Sequence, residues 1–163
     1  MPEQINILTG NVLVDRIGEI THVPLRSYNR DTEGNLSVSF DCGDALFWEI
    51  VQLGKDAIPD LIKKVEDNTG TQIPIPCRQD TLTQGMIAFM ILEQIIEIPY
   101  YQVFGIQWDV FDLNCDFVYP QGFIDFVQSN PVLVHEKLKK WYATYNDSVS
   151  RTNTHSDEWN DCQ

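Results

Sequence analysis

Acidic residues offer the first chemistry to weigh. Asp112-Leu113-Asn114-Cys115-Asp116 opens like the D-x-N-x-D of a calcium loop. The pattern then breaks. Phe117 stands where the sharp turn needs glycine, and Phe123 stands where a bidentate glutamate belongs. An acidic turn without a metal is the expectation. Glu93 and Glu97 lie one helical turn apart and would share a proton or a metal if both were buried. On an amphipathic helix they fall on the polar stripe, so solvent exposure is expected. His22, His135 and His155 are far apart and match no metal-binding spacing, and His135 with Glu136 reads as a surface pair. There is no G-x-S-x-G elbow, no local Cys–His signature and no phosphate-binding glycine motif. The sequence therefore predicts no catalytic residue, no cofactor and no metal, and a non-enzymatic protein.

Charge says more. The 163 residues carry 24 Asp and Glu against 11 Lys and Arg, a net charge of -13. Direct binding to nucleic acid or to an anionic membrane needs clustered cations, so both are excluded as expectations. Between Arg78 and Lys137 there is no Lys or Arg, while Asp80, Glu93, Glu97, Asp109, Asp112, Asp116, Asp125 and Glu136 all fall there. Tyr100, Tyr101, Trp108, Phe111 and Tyr119 lie among them. Acids steer a basic partner and aromatic rings anchor it. The candidate partner-binding residues are thus Tyr100, Tyr101, Trp108, Asp109, Asp112, Asp116 and Asp125.

Cys42, Cys77, Cys115 and Cys162 form no C-x-x-C, which excludes a zinc ribbon or a thioredoxin-type motif. The N-terminus lacks a basic segment followed by a long apolar run, and Met86 to Pro99 is too short and too charged to span a bilayer. A cytoplasmic location is expected, and with it free thiols.

Three stretches must position these residues. Residues 1–43 read as a β-rich element. Ile5, Ile7 and Leu8 against Val12, Leu13 and Val14, with Thr9-Gly10-Asn11 between, suggest one hairpin. Leu36-Ser37-Val38-Ser39-Phe40 alternates as a half-buried strand should, follows the turn formers Asp31 to Asn35, and has Val23-Pro24-Leu25 as its candidate partner. Residues 44–145 read as helical. Asp44 and Asp56 are candidate caps, Gly54 a stop signal, and Pro59 suits a first turn. Thr71 to Asp80 reads as a loop. Thr83 caps a long buried helix reaching about Ile98, and Asn130-Pro131 starts the last one. Residues 146–163 read as a flexible polar tail.

Val51-Gln-Leu53-Gly54-Lys-Asp-Ala57-Ile58-Pro59-Asp-Leu61-Ile62-Lys-Lys-Val65 resembles a HEAT-like repeat, in which one helix ends in Leu-Gly and Ala-Ile-Pro-x-Leu-Ile opens the next. The resemblance covers one repeat, residues 44–67. A longer pattern also resembles a bacterial family of small helical proteins. It runs from Phe47-Trp48-Glu49-Ile50-Val51 through Ile73-Pro-Ile-Pro76-Cys77 and Phe111-Asp112-Leu113 to Lys140-Trp141-Tyr142. It carries no catalytic residue over. The fold expected is mainly α, a short irregular HEAT-like bundle or solenoid with an N-terminal β-hairpin, α+β being the fallback. HEAT-like folds imply binding scaffolds, by analogy. The expected function is an acidic protein-binding module of the immunity or inhibitor type, neutralising a basic partner such as a toxin or nuclease by occlusion. The alternatives are a small hydrolase with a carboxylate site and a DNA-mimic inhibitor.

Overall fold

The computed structural model describes residues 3–107, 119, 121–145 and 157–163. Its elements, in chain order, begin with a 3-10 helix at Val14–Glu19, then β1 (Leu25–Arg30), β2 (Leu36–Asp41) and α1 (Ala45–Val51). A second 3-10 helix at Gly54–Ala57 leads into α2 (Ile58–Lys64), β3 (Gly70–Pro74), β4 (Thr81–Thr83) and α3 (Gln84–Ile95). α4 (Tyr100–Phe104), α5 (Gln121–Ser129), α6 (Pro131–Ala143) and a 3-10 helix at Asp157–Cys162 complete the set.

α3 forms where apolar residues cover the whole helix circumference, and it becomes the axis of the core. Every residue from Gly85 to Leu92 is buried. A fully buried Leu, Ile or Met there contributes about 1.5–3 kcal/mol. The Thr83 hydroxyl caps the helix by accepting from the Met86 N–H at 3.1 Å, as its sequence predicts. The helix is shorter than expected. Ile96 is extended, at φ -141° and ψ 140°, so Glu97 and Ile98 lie beyond it. α1, α2, α5 and the first 3-10 helix pack around α3. Gly85 lets the backbone that follows α2 come close to α3. A Cβ there would lie 2.6 Å from the Asp67 carbonyl oxygen and nearer still to that of Val65.

Among the described residues the fold is α+β, 49% helical and 15% strand, with two small antiparallel sheets, which corrects the mainly helical HEAT-like solenoid. α1 and α2 have seven residues each, about 10 Å of helix, and both turn inward onto α3 rather than stacking on a like neighbour. Thr71 to Asp80 is not a simple loop, because β3 and β4 pair there with an irregular register. Pro74 is tolerated in a ribbon of only two strands, whose outer edges need no partner.

The N-terminal readings divide. Residues 5–14 do not form a hairpin. The Asn11 side chain accepts from the Leu13 and Val14 N–H groups, both at 3.2 Å, and starts a 3-10 helix instead. Asp15 takes the Thr9 and Gly10 N–H groups at 2.7 and 3.0 Å. These side chains capture donors that a strand ladder would have used. Leu36 to Phe40 does form a strand, β2, but its partner is Leu25–Arg30 rather than Val23-Pro24-Leu25, and all six β2 residues are exposed rather than half-buried. Asp44 precedes α1 yet gives it no side-chain cap, because its carboxylate accepts from the Thr21 N–H at 2.5 Å and from its hydroxyl at 3.0 Å.

The C-terminus is clasped. Cys42 and Cys162, 120 positions apart, are joined in a disulfide, and Cys77 is disulfide-bonded as well. This overturns the expectation of free thiols. Trp159 is buried between Phe40, at 5.3 Å between ring centroids, and Trp48, at 6.1 Å. Residues 157–163 are therefore no loose tail; residues 146–156 lie outside the described residues. No helix among the described residues is long and apolar enough to cross a membrane.

Candidate functional site

Of the residues that the sequence groups, the structure describes Tyr100, Tyr101 and Asp125. Trp108, Asp109, Asp112 and Asp116 lie outside the described residues. Tyr101 is 68% exposed, as an anchor must be. Tyr100 belongs instead to an aromatic cluster, its ring 5.1 Å from Phe123 and 6.3 Å from both Phe89 and Phe104. Asp125 is bound to Arg78 at 2.5 Å, and the same guanidinium holds Asp80 at 2.7 Å. Two of the eight acids in the cation-poor interval thus share one cation, which offsets one of their two charges. His135 pairs with Glu66, just after α2, at 3.1 Å, not with Glu136.

Glu93 and Glu97 do not meet as a carboxylate pair. Glu97 is exposed beyond α3. Glu93 is partly buried, not solvated as its polar stripe suggested, and accepts a short hydrogen bond from the Tyr119 hydroxyl. Burial raises its carboxyl to about 8, against the opposing effect of that bond. Burial and the adjacent carboxyl push the Tyr119 phenol higher still. Glu93 is accordingly protonated at neutral pH, and the local charge is one less negative than the formula. The stability consequence has a definite sign. Between the ordinary glutamate range and about 8, the folded chain keeps a proton that the unfolded chain has lost. Stability is full below that window, falls across it and levels above it. Thermal melts from roughly pH 5 to 9 should show this decline in the wild type. They should show a flatter profile in Glu93→Gln, whose amide oxygen still accepts from Tyr119. Parallel profiles would contradict the assignment.

The hairpin is where side chains converge on a surface. Its register places Arg26 opposite Phe40, Tyr28 opposite Val38 and Arg30 opposite Leu36, all on one face. Ser27, Asn29, Ser37 and Ser39 share the other face. The first face is wet, with Leu36 56% exposed, Tyr28 and Val38 43%, and Phe40 41%. The Arg26 guanidinium lies 5.8 Å from the Phe40 ring centroid and donates to the Tyr28 hydroxyl at 3.2 Å.

Both ends of this ribbon are held. At the tip the Asp31 carboxylate accepts from the Asn35 and Glu33 N–H groups at 2.8 and 2.9 Å, and Gly34 takes φ +85°. Those bonds, the Asn35 one foremost, keep its pKa below the usual carboxylate value. At the base the Trp48 indole N–H donates to the Cys42 carbonyl at 2.6 Å, beside the Cys42–Cys162 disulfide. The alternation in Leu36 to Phe40 pointed to this face. Its exposure was not visible, because alternation does not say what covers the apolar side.

No group of three or more His, Cys, Asp or Glu side chains suited to a metal occurs among the described residues. Comparison with protein-family models, curated proteins and solved structures finds no match.

Proposed function

We propose that this protein is a non-enzymatic, acidic protein-binding module of the inhibitor or immunity type, which occludes a basic partner such as a toxin or nuclease. One observation carries the reading. A stiffened two-stranded ribbon presents Tyr28, Leu36, Val38 and Phe40 on a single exposed face. A two-stranded hairpin is marginal alone in water, and an apolar strip on it is the kind of surface that a partner covers. Tyr101 adds a second exposed ring. The net charge of -13 favours fast, salt-sensitive association with a basic protein.

The disulfides alter where this would happen. Structural disulfides persist in oxidising compartments, so we place the protein outside the reducing cytoplasm that its sequence suggested. Its partner would then be a secreted or periplasmic protein.

The oxidised chain, immobilised, should capture a stoichiometric basic protein from the secreted fraction of its own cells at low salt and release it at high salt. Tyr28→Ser/Val38→Ser should weaken that capture by about tenfold or more, the effect of losing a contact centre. Equal capture by both proteins, or capture of an acidic partner, would refute the reading.

A further inference from the structure

In so acidic a chain the lysines are unevenly placed. There are six in all, and four line surface hollows: Lys63 on α2 and Lys139 on α6 share one, and Lys137 and Lys140 on α6 share another. A hollow of about 450 Å³ opens between these two helices. Pro59, Ile62 and Ala143 give it apolar walls, and the Tyr142 ring, stacked on Tyr145 at 5.6 Å, closes one side. Lys63 and Lys139 stand at its rim, both exposed and neither in an ion pair among the described residues. His135 also lines it, but Glu66 already engages that ring at 3.1 Å.

We propose that this hollow binds a small carboxylate-headed amphiphile, with its head at Lys63 and Lys139 and its apolar body against Ile62, Tyr142 and Ala143. The size is that of a small-molecule site, whereas a protein contact needs about 800 Å² from each partner. Lys63 and Lys139 both line the hollow, so a carboxylate there has two ammonium groups as counter-charges. The overall negative charge does not forbid this, since at physiological salt its field is screened beyond about 8 Å and the nearest lysines decide. The C-terminal carbonyls of α6 repel an anion at the last turn. The head group therefore sits over Lys139, a turn before Ala143, and the tail covers the helix end. A second hollow, of about 330 Å³, is lined by Lys137, Lys140 and Trp141. Gln102 and Thr144 make its wall more polar, so it offers such a tail less.

The test titrates the disulfide-intact chain with sodium octanoate and, as a neutral match, octan-1-ol, following the Ile62 and Ala143 methyl resonances and the heat of binding. Octanoate should shift both methyls and bind about tenfold more tightly than octanol, the effect of two exposed ion pairs. Lys63→Gln/Lys139→Gln, at exposed positions and with unchanged thermal stability, should bring the two ligands together. Ala143→Trp, which fills the hollow, should weaken both. Equal affinity of octanoate and octanol in the wild type would overturn the proposal. So would undiminished octanoate binding in the lysine variant, or shifts confined to other residues. Displacement of octanoate by a Glu-rich peptide that also requires Lys137 and Lys140 would overturn it in favour of an acidic protein partner.

Discussion

Breaking the Cys42–Cys162 disulfide should lower the unfolding free energy by about 3–5 kcal/mol. The bond closes a loop of 120 positions. Chain-entropy reasoning assigns about 5 kcal/mol to a loop that long. Cys77 is also cross-linked, so the unfolded chain is already restricted and the full value is an upper bound. For a chain of this size the loss corresponds to roughly 10–15 °C in Tm. The clean variant is Cys42→Ala/Cys162→Ser, which leaves neither thiol to mispair. It has a second readout that entropy alone would not move. Without the bond nothing covalent holds the 3-10 helix of Asp157–Cys162, and Trp159 can leave Trp48 and Phe40. Tryptophan emission should shift to the red and Trp48 should gain access to quenchers. Wild-type stability with wild-type emission would refute the clasp. A stability loss with unchanged emission would assign the bond a purely entropic role and leave the Trp159 packing self-sufficient.

The elements legible in the sequence are those specified by neighbours. Thr83 and the apolar run after it announce α3, Asn130-Pro131 announces α6, and the turn formers between Arg30 and Leu36 announce the β1–β2 hairpin. What the sequence hid depends on partners far along the chain. Trp159 and Cys162 sit in a polar stretch with no periodicity, and only their contacts with Trp48 and Cys42 reveal a clasp. The Ile5 N–H is held by Asn68 at 2.7 Å, 63 positions away, which no local hairpin signal foretells. β3 is masked by Pro74 at its end and Pro76 just beyond it. One HEAT-like repeat suggested stacking, but two helices of seven residues with a buried 12-residue helix beside them pack onto that helix.

The candidate surface follows the same logic. Residue type identified Tyr100 and Asp125 as polar or aromatic groups able to contact a partner. It could not show that Phe123 takes the first and Arg78, 47 positions away, takes the second. Tyr101, one residue further round α4, stays exposed. The alternation from Leu36 to Phe40 is legible as a pattern, but the exposure of its apolar face is not, because alternation does not say what covers that side.

Lys64 and Asp67 carry the other large expected effect. They form an ion pair at 2.8 Å with side chains 1% and 0% exposed. Together they grip the N-terminal segment by one residue. The Lys64 ammonium donates to the Ile7 carbonyl at 2.7 Å, and the Asp67 carboxylate accepts from the Ile7 N–H at 2.9 Å. The other Asp67 oxygen accepts from the Thr69 N–H at 2.9 Å. Lys64→Met would leave a buried carboxylate without its cation and a carbonyl without its donor, at a cost of about 3–5 kcal/mol. Lys64→Met/Asp67→Leu should cost less than the two single changes together, because it removes both charges, with a coupling of about 1–3 kcal/mol. It should not restore wild-type stability, since the Ile7 and Thr69 backbone groups remain unpaired. Acid gives an independent check. Burial acts to raise the Asp67 carboxyl, but the Lys64, Ile7 and Thr69 bonds outweigh it and hold the pKa below the usual value. Its stabilisation is therefore complete above the ordinary carboxylate range, near pH 3.9, and disappears as pH falls below that range. The double variant should lose this acid-sensitive component. Hydrogen exchange should locate the damage, with the Ile7 amide protected in the wild type and open in Lys64→Met. Protection at Ile7 together with a stability change under about 0.5 kcal/mol would show that the pair does not anchor the segment.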